Sequence, residues 1–334
     1  MKKEEVGIKV VDLLTQATGE SLDGVINAIV DAKVEEKLKE KLNGVQMGAV
    51  EHIVKVGNYE PKKLKGYTSE AFDDAISWIA YTPKKNIAFV GDAGTGKGYV
   101  SRQIAEALDG EFYEVNAVQD KYDLTGFVDA NSYYVETPWY RACKSASDGN
   151  AVVFLFDEVD CSIPEVLKIF NEGVASREFT FPNGETLEFP NLIIICASNT
   201  AGTGADLKYV ANKLDDSTLN RYVYIEVDFD ERIELAVAGG DKELVEFIHE
   251  VRKVGRTMGF VPSYRDIERI ASMRGSGMDL RKILKQAMYK AMDADSRDLI
   301  NNALKNVIPN NIFYKASKGE YVEYEEKTSS KASA

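Results

Sequence analysis

The densest chemistry in this sequence lies in the run Gly91-Asp92-Ala93-Gly94-Thr95-Gly96-Lys97. Closely spaced glycines let successive backbone N–H groups turn inward around an anion, and the lysine that ends the run adds a point charge for phosphoryl oxygens. Such a loop works only between a strand and a helix, because the helix start supplies further free N–H groups and a partial positive charge. Residues 87–90 read as that strand and 99–108 as that helix, the setting a P-loop requires. Together with Gly98 and Tyr99 at the helix start, the run is the candidate nucleotide-binding set. Gly98 stands where the pattern calls for Ser or Thr, whose hydroxyl ordinarily ligates Mg²⁺. Ser101 is not expected to face the metal. Two outcomes follow: an extra water completes the metal shell and turnover survives, or nucleotide binds without efficient hydrolysis.

Five further positions could complete a phosphoryl-transfer site. Val152-Val153-Phe154-Leu155-Phe156-Asp157-Glu158 is an apolar strand that ends in two adjacent carboxylates. Asp157 suits a Mg²⁺ shell and Glu158 suits polarising an attacking water. Asp160 and Cys161 read as structural. Ile193-Ile194-Ile195-Cys196-Ala197-Ser198-Asn199 delivers Asn199 at a strand end, either to orient that water or touch the terminal phosphate, or merely to form a turn before Gly202. Arg221, just before the strand at 222–227, is either an arginine finger acting on a neighbouring subunit's nucleotide or a solvated surface residue. After Pro262, Ser263-Tyr264-Arg265-Asp266 reads as a capping box with Ser263 as N-cap and Asp266 as its partner. Arg265 then sits in a first helical turn, where a cation opposes the macrodipole unless a phosphate lies nearby. It is the candidate nucleotide sensor.

The elements that must hold these residues follow from the pattern around them. Residues 87–90, 112–116, 151–156, 192–197 and 222–227 are short apolar or β-branched runs separated by helical segments, which predicts a parallel sheet covered on both faces. Beyond 230 the period changes, and 231–256, 263–274 and 279–305 read as helices of a small all-α domain. Before the sheet, Leu22, Val25, Ile26, Ile29, Val30, Val34, Leu38 and Leu42 form one apolar helical stripe, suited to packing on its own chain or to a partner contact. The expected division is a helical segment over 1–60, an α/β nucleotide-binding core over 61–230, a helical lid over 231–314 and a disordered tail over 315–334.

Composition narrows the function classes. The 334 residues are 44% hydrophobic and 28% charged, enough to bury a core. The formal charge of −13 disfavours nucleic acid as a partner of the bulk surface, since phosphate-backbone affinity comes largely from Lys and Arg. Cys143, Cys161 and Cys196 lack paired spacing, and with only His52 and His249 beside them they predict no zinc site and a reducing compartment. No apolar run approaches the roughly 18 residues that span a bilayer, and the start of the chain lacks a signal core, so a cytoplasmic protein with no membrane role is expected.

Taken in order, P-loop, Asp-Glu strand, Asn sensor, arginine finger and lid arginine, the chain resembles the AAA+ ATPases over roughly 65–310. The narrower likeness is to the MoxR-like and cobalt-chelatase small-subunit group, including phage-type members. It rests on Asp157-Glu158-Val159-Asp160, Pro164-Glu165-Val166-Leu167, Asn171-Glu172, Phe179-Thr180-Phe181-Pro182-Asn183-Gly184, Ala197-Ser198-Asn199-Thr200-Ala201-Gly202-Thr203-Gly204 and Leu219-Asn220-Arg221-Tyr222. In that group a hairpin precedes the sensor strand, where 181–189 shows alternation around a turn, and an insertion is expected near Leu124 to Val135. The resemblance implies a three-layer α/β P-loop core with an all-α lid, ATP and Mg²⁺ as ligands, a homo-oligomeric, hexameric ring with Arg221 reaching a neighbour's nucleotide, and a protein or metal-chelatase client. A von Willebrand A-domain partner is implied with it. Three functions stay open: an ATP-driven remodelling motor, a nucleotide-locked assembly scaffold that Gly98 leaves slow, and a GTP- or ATP-dependent DNA-directed motor.

Overall fold

The computed structural model describes residues 51–54, 62–205, 209 and 211–325. The apolar stripe at 22–42 lies outside them. Two short strands come first, β1 (Glu51–Val54) and β2 (Lys62–Lys65), paired antiparallel. The helical reading of 1–60 therefore fails at 51–54, where β-branched Ile53 and Val54 favour extended backbone.

The central sheet is built from β3 (Asn86–Val90), β4 (Glu111–Val115), β7 (Val152–Phe156), β10 (Ile193–Ser198) and β11 (Val223–Glu226). Two small hairpins intervene, β5 (Phe127–Val128) with β6 (Tyr134–Val135), and β8 (Glu178–Thr180) with β9 (Thr186–Glu188). All five core strands run parallel, in the order β11-β3-β10-β7-β4. The apolar runs are continuous because both faces are covered. Val152, Phe154, Phe156 and Ile194 face a cluster centred on Trp139 and Phe170, whereas Val153, Leu155, Ile193 and Ile195 face Ile87, Phe89, Val100 and Ile104. This is an α/β P-loop fold of three layers.

The order of strands decides where chemistry can occur. β10 lies between β3 and β7, so the loops after these three strands leave the same edge of the sheet side by side. The register aligns Ser198 with Val90 and Cys196 with Phe156, which brings Asn199 beside Gly91 and close to Asp157.

Beyond Asp230 the chain is helical: Glu231–Val237, Lys242–Gly255, Tyr264–Ser272, Leu280–Ala287, Ala294–Leu304 and Ile312–Ser317 enclose their own core of Leu244, Phe247, Ile248, Ile267, Leu284 and Phe313. The tail expected from 315 does not begin there. Gly275 donates its N–H to the Tyr324 carbonyl at 2.7 Å, and Leu280 to that of Val322 at 3.0 Å. Tyr324, 4% exposed, packs its ring edge on Phe313 and its hydroxyl on the Asp241 carboxylate at 3.0 Å. A single large aromatic outweighs the polar composition around it and keeps the chain on the lid as far as Glu325. Among the described residues no helix is long and apolar enough to cross a membrane.

Candidate nucleotide site

The P-loop leaves β3 at Gly91, and its start allows nothing larger. A Cβ there would lie 2.2 Å from the Val227 carbonyl oxygen, because Val227 closes the strand pair by donating to Val90 at 2.7 Å. The helix Lys97–Ala107 begins with Gly96 as N-cap at φ +91°, without a side chain satisfying its first N–H groups. A helix start of this kind suits an anion. Thr95, 3% exposed, turns its hydroxyl back onto the Asp92 carbonyl at 2.9 Å and stiffens the loop.

Lys97 is the centre of the site. It is only 7% exposed, and its Nζ donates to the carbonyls of Gly91 at 2.7 Å and Asp92 at 3.1 Å and to Asn199 Oδ1 at 2.9 Å. The P-loop lysine and the strand-end asparagine are thus joined. Burial pushes the Lys97 ammonium down from its ordinary 10.5 to about 8. The carboxylates of Asp157, Asp92 and Asp160 oppose that shift, and the Arg265 guanidinium adds to it. The same interactions show that Asp157 at the end of β7 and Arg265 from the lid both lie within electrostatic reach of Lys97.

Two aspartates after β7 play different parts. Asp157 is half-buried and accepts the Glu158 N–H at 3.0 Å, and Glu158 itself is exposed in left-handed backbone at φ +48°. A non-glycine residue in that region marks a turn held in shape by its surroundings. Asp160 is buried and accepts the Thr200 hydroxyl at 2.8 Å, tying the loop after β10 to the turn after β7. Burial raises the Asp160 carboxyl, against the pull of Thr200 and Lys97. The structural reading of Asp160 is therefore right in kind, and its place is between two arms of the site.

The lid reaches the P-loop through the capping box expected at Ser263, which is present with Asp266 completing it. Gly94 has φ +82°, and a Cβ on it would meet the Ser263 Cβ at 2.5 Å; one on Gly96 would meet the Tyr264 ring at 3.7 Å. Arg265 thereby starts a helix that abuts the P-loop. A clamp that the sequence did not advertise holds this arrangement. Buried Arg252 donates to the Pro262 carbonyl at 2.9 and 3.1 Å and to the buried Glu234 carboxylate at 2.6 Å, and its guanidinium stacks 3.7 Å from the Phe229 ring. Tyr264 in turn accepts the Asp230 N–H at 2.7 Å.

Arg221 is placed elsewhere. Its carbonyl accepts from Asn86 Nδ2 at 3.1 Å, and Asn86 begins β3 whereas the P-loop follows its end. Five strand residues separate the two levels, about 16 Å by strand rise. Its Nε is buried without a hydrogen-bond partner among the described residues. Tyr99 is also set apart: its backbone lies in the first turn of the P-loop helix, but its ring is exposed. Gly98 packs loosely, with a Cβ there 3.8 Å from Leu155 Cδ2, so nothing in the packing forbids the hydroxyl it lacks.

The family model for the AAA domain (dynein-related subfamily) matches residues 86–221, from the start of β3 to Arg221. Over residues 86–221 the chain is similar to AAA domains. An uncharacterized protein of Staphylococcus aureus strain USA300 is 27% identical over 208 residues, 56% of this chain and 74% of its own length. A second, from strain NCTC 8325, is 28% identical over 182 residues, 50% of this chain and 64% of that protein. The chaperone protein ClpB of Tropheryma whipplei is 27% identical over 150 residues, 43% of this chain and 21% of ClpB. Among solved structures, NtrX from Brucella abortus aligns over 87% of this chain and 59% of its own, with a TM-score of 0.40 and 17% identity. The matched span contains the P-loop, Asp157, Glu158, Asn199 and Arg221. Arg265 and the Arg252 clamp lie beyond its matched limits, in the helical part.

One further contact escaped the motifs. The Tyr209 hydroxyl accepts the Ala93 N–H of the P-loop at 2.9 Å and donates to Asp92 Oδ1 at 3.1 Å. No spacing rule flags a lone tyrosine in a loop; only the fold brings it there.

Proposed function

We propose that this chain is an ATP-binding and ATP-hydrolysing AAA+ protein of the MoxR-like group, working in the cytoplasm as a hexameric ring that remodels a protein or metal-chelatase-type client. The convergence of Lys97, Asn199, Asp157 and Arg265 on one edge of the sheet carries the nucleotide part of this reading.

In this scheme the free N–H groups at the start of the P-loop helix and the Lys97 ammonium bind the phosphates. Lys97 has to leave the Gly91 and Asp92 carbonyls to do so, and its bond to Asn199 carries that asparagine toward the terminal phosphate. Glu158 accepts a proton from the attacking water, and Asn199 orients it. Arg265 balances charge on the phosphates from the lid side. The donor set suits Mg²⁺: Asp157 offers a hard carboxylate oxygen, with water replacing the hydroxyl that Gly98 lacks. When bound, Mg²⁺ neutralises phosphate charge and fixes the geometry of transfer.

The placement of Arg221 supports the ring reading. A guanidinium at the opposite edge of the sheet from its own P-loop serves phosphoryl transfer only in a neighbour's site. A slow, nucleotide-locked scaffold is the second reading, favoured by Gly98 alone. Steady-state ATP hydrolysis with Mg²⁺ separates them. Turnover by the wild type, lost in Lys97→Ala, supports the motor. A silent wild type that Gly98→Thr switches on supports the scaffold. Hydrolysis unaffected by Lys97→Ala contradicts both.

A further inference from the structure

Tyr209 lies between β10 and the helix that precedes Arg221, in a segment whose two legs are tied down at their base. Thr203 and Lys213 form an antiparallel bridge, and the Leu214 N–H donates to the Gly202 carbonyl at 3.1 Å. The Asn212 N–H donates to the Asp160 carbonyl at 2.7 Å, and its side-chain amide to that of Ser162 at 2.9 Å. The legs therefore stand on the turn that carries Asp157 and Glu158, while Tyr209 reaches across to the P-loop. There its phenol oxygen takes the Ala93 N–H, and its own proton goes to the Asp92 carboxylate. A P-loop binds phosphate by offering inward-turned N–H groups to phosphoryl oxygens. One N–H of this loop has its oxygen acceptor supplied by the chain itself.

We infer that Tyr209 is a residue of the nucleotide site that holds the Ala93 N–H in the free protein and yields it to a phosphate of the incoming nucleotide. The inference rests on the nucleotide-binding reading above. Its consequence is competition: binding must first break the hydrogen bond between the Ala93 N–H and the Tyr209 hydroxyl. Removing that hydroxyl while keeping the ring relieves the competition without opening a cavity or adding a charge. The net worth of one such neutral hydrogen bond corresponds to a tightening of about two- to tenfold.

The test is equilibrium titration of wild type, Tyr209→Phe and Lys97→Ala with a fluorescent ATP analogue. Tighter binding by Tyr209→Phe, in that range or beyond, is the expected result, as is binding by Tyr209→Phe where wild type shows none. Wild-type binding that Tyr209→Phe leaves unchanged overturns this inference alone. Weaker binding by Tyr209→Phe also overturns it, since the hydroxyl would then be a contact to the bound nucleotide. Absence of binding in both overturns the nucleotide reading and this inference together.

Discussion

The two edges of the central sheet are finished to different degrees. At the edge where β3, β7 and β10 end, the chain supplies partners to its own reactive groups. Lys97 has two carbonyls and Asn199, Ala93 has Tyr209, Asp160 has Thr200, and Gly94 has Ser263 against it. At the edge where β3 and β11 begin, Arg221 carries a buried Nε with no partner among the described residues. In the ring proposed above, that difference would separate a job done within one chain from a job that needs another. In that proposal phosphate binding falls to the first edge, and the transition-state charge that an arginine finger stabilises falls to the second.

The largest effects should fall where that division is sharpest. Arg221→Ala is expected to cut ATP hydrolysis by roughly 10³-fold or more while leaving nucleotide affinity within about twofold, as an interaction made only in the transition state does. Glu158→Gln should likewise keep binding and lose roughly 10²- to 10⁴-fold in turnover. Measuring Kd and kcat on the same preparations checks both. A large loss of affinity in Arg221→Ala would place that arginine at its own P-loop and erase the distinction between the edges.

A smaller effect tests what holds the lid against the phosphate edge. Arg252→Ala strips Glu234 of its short guanidinium partner and leaves the Pro262 carbonyl without its donor. His249 still touches Glu234, so the buried carboxylate keeps one contact. The expected cost is about 3 kcal/mol, read by denaturant unfolding. Arg252→Lys should recover less than half, because an ammonium cannot meet two acceptors and stack on Phe229 as the planar fork does.

The smallest effect is a pH dependence. Burial pushes the Lys97 ammonium down to about 8, below its ordinary value, and phosphates favour its charged form. Affinity should stay level below pH 8 and fall above it by up to about tenfold per unit, since binding must then take up a proton. Lys97→Arg should flatten the profile, because a guanidinium stays charged throughout. A profile level to pH 10 in the wild type would mean that the carboxylates around Lys97 outweigh its burial.

Much of this was legible in the chain, and the rest failed for identifiable reasons. The P-loop, the five core strands and the Ser263 capping box are local patterns, set by periodicity and by residues a few positions apart. The strand order is not local: nothing at 193–198 states that this strand inserts between β3 and β7, yet that insertion joins Asn199 to Lys97. Tyr209, the Gly94–Ser263 approach and the Arg252 clamp link positions far apart in sequence, where no spacing rule applies. Average composition hides one tyrosine that buries well, so the chain stays ordered beyond 315, and residues 51–54 pair as a strand with 62–65 where a helix is expected.

In the proposed ring, Arg221 completes a neighbour's site and not its own. The most direct test mixes two variants, each inactive by itself: Glu158→Gln, which keeps Arg221, and Arg221→Ala, which keeps Glu158. ATP hydrolysis should reappear on mixing and peak near equal proportions, because an intact carboxylate from one subunit then meets an intact arginine from another. A mixture that stays silent at every ratio, from variants that still bind nucleotide and still associate, would contradict the claim.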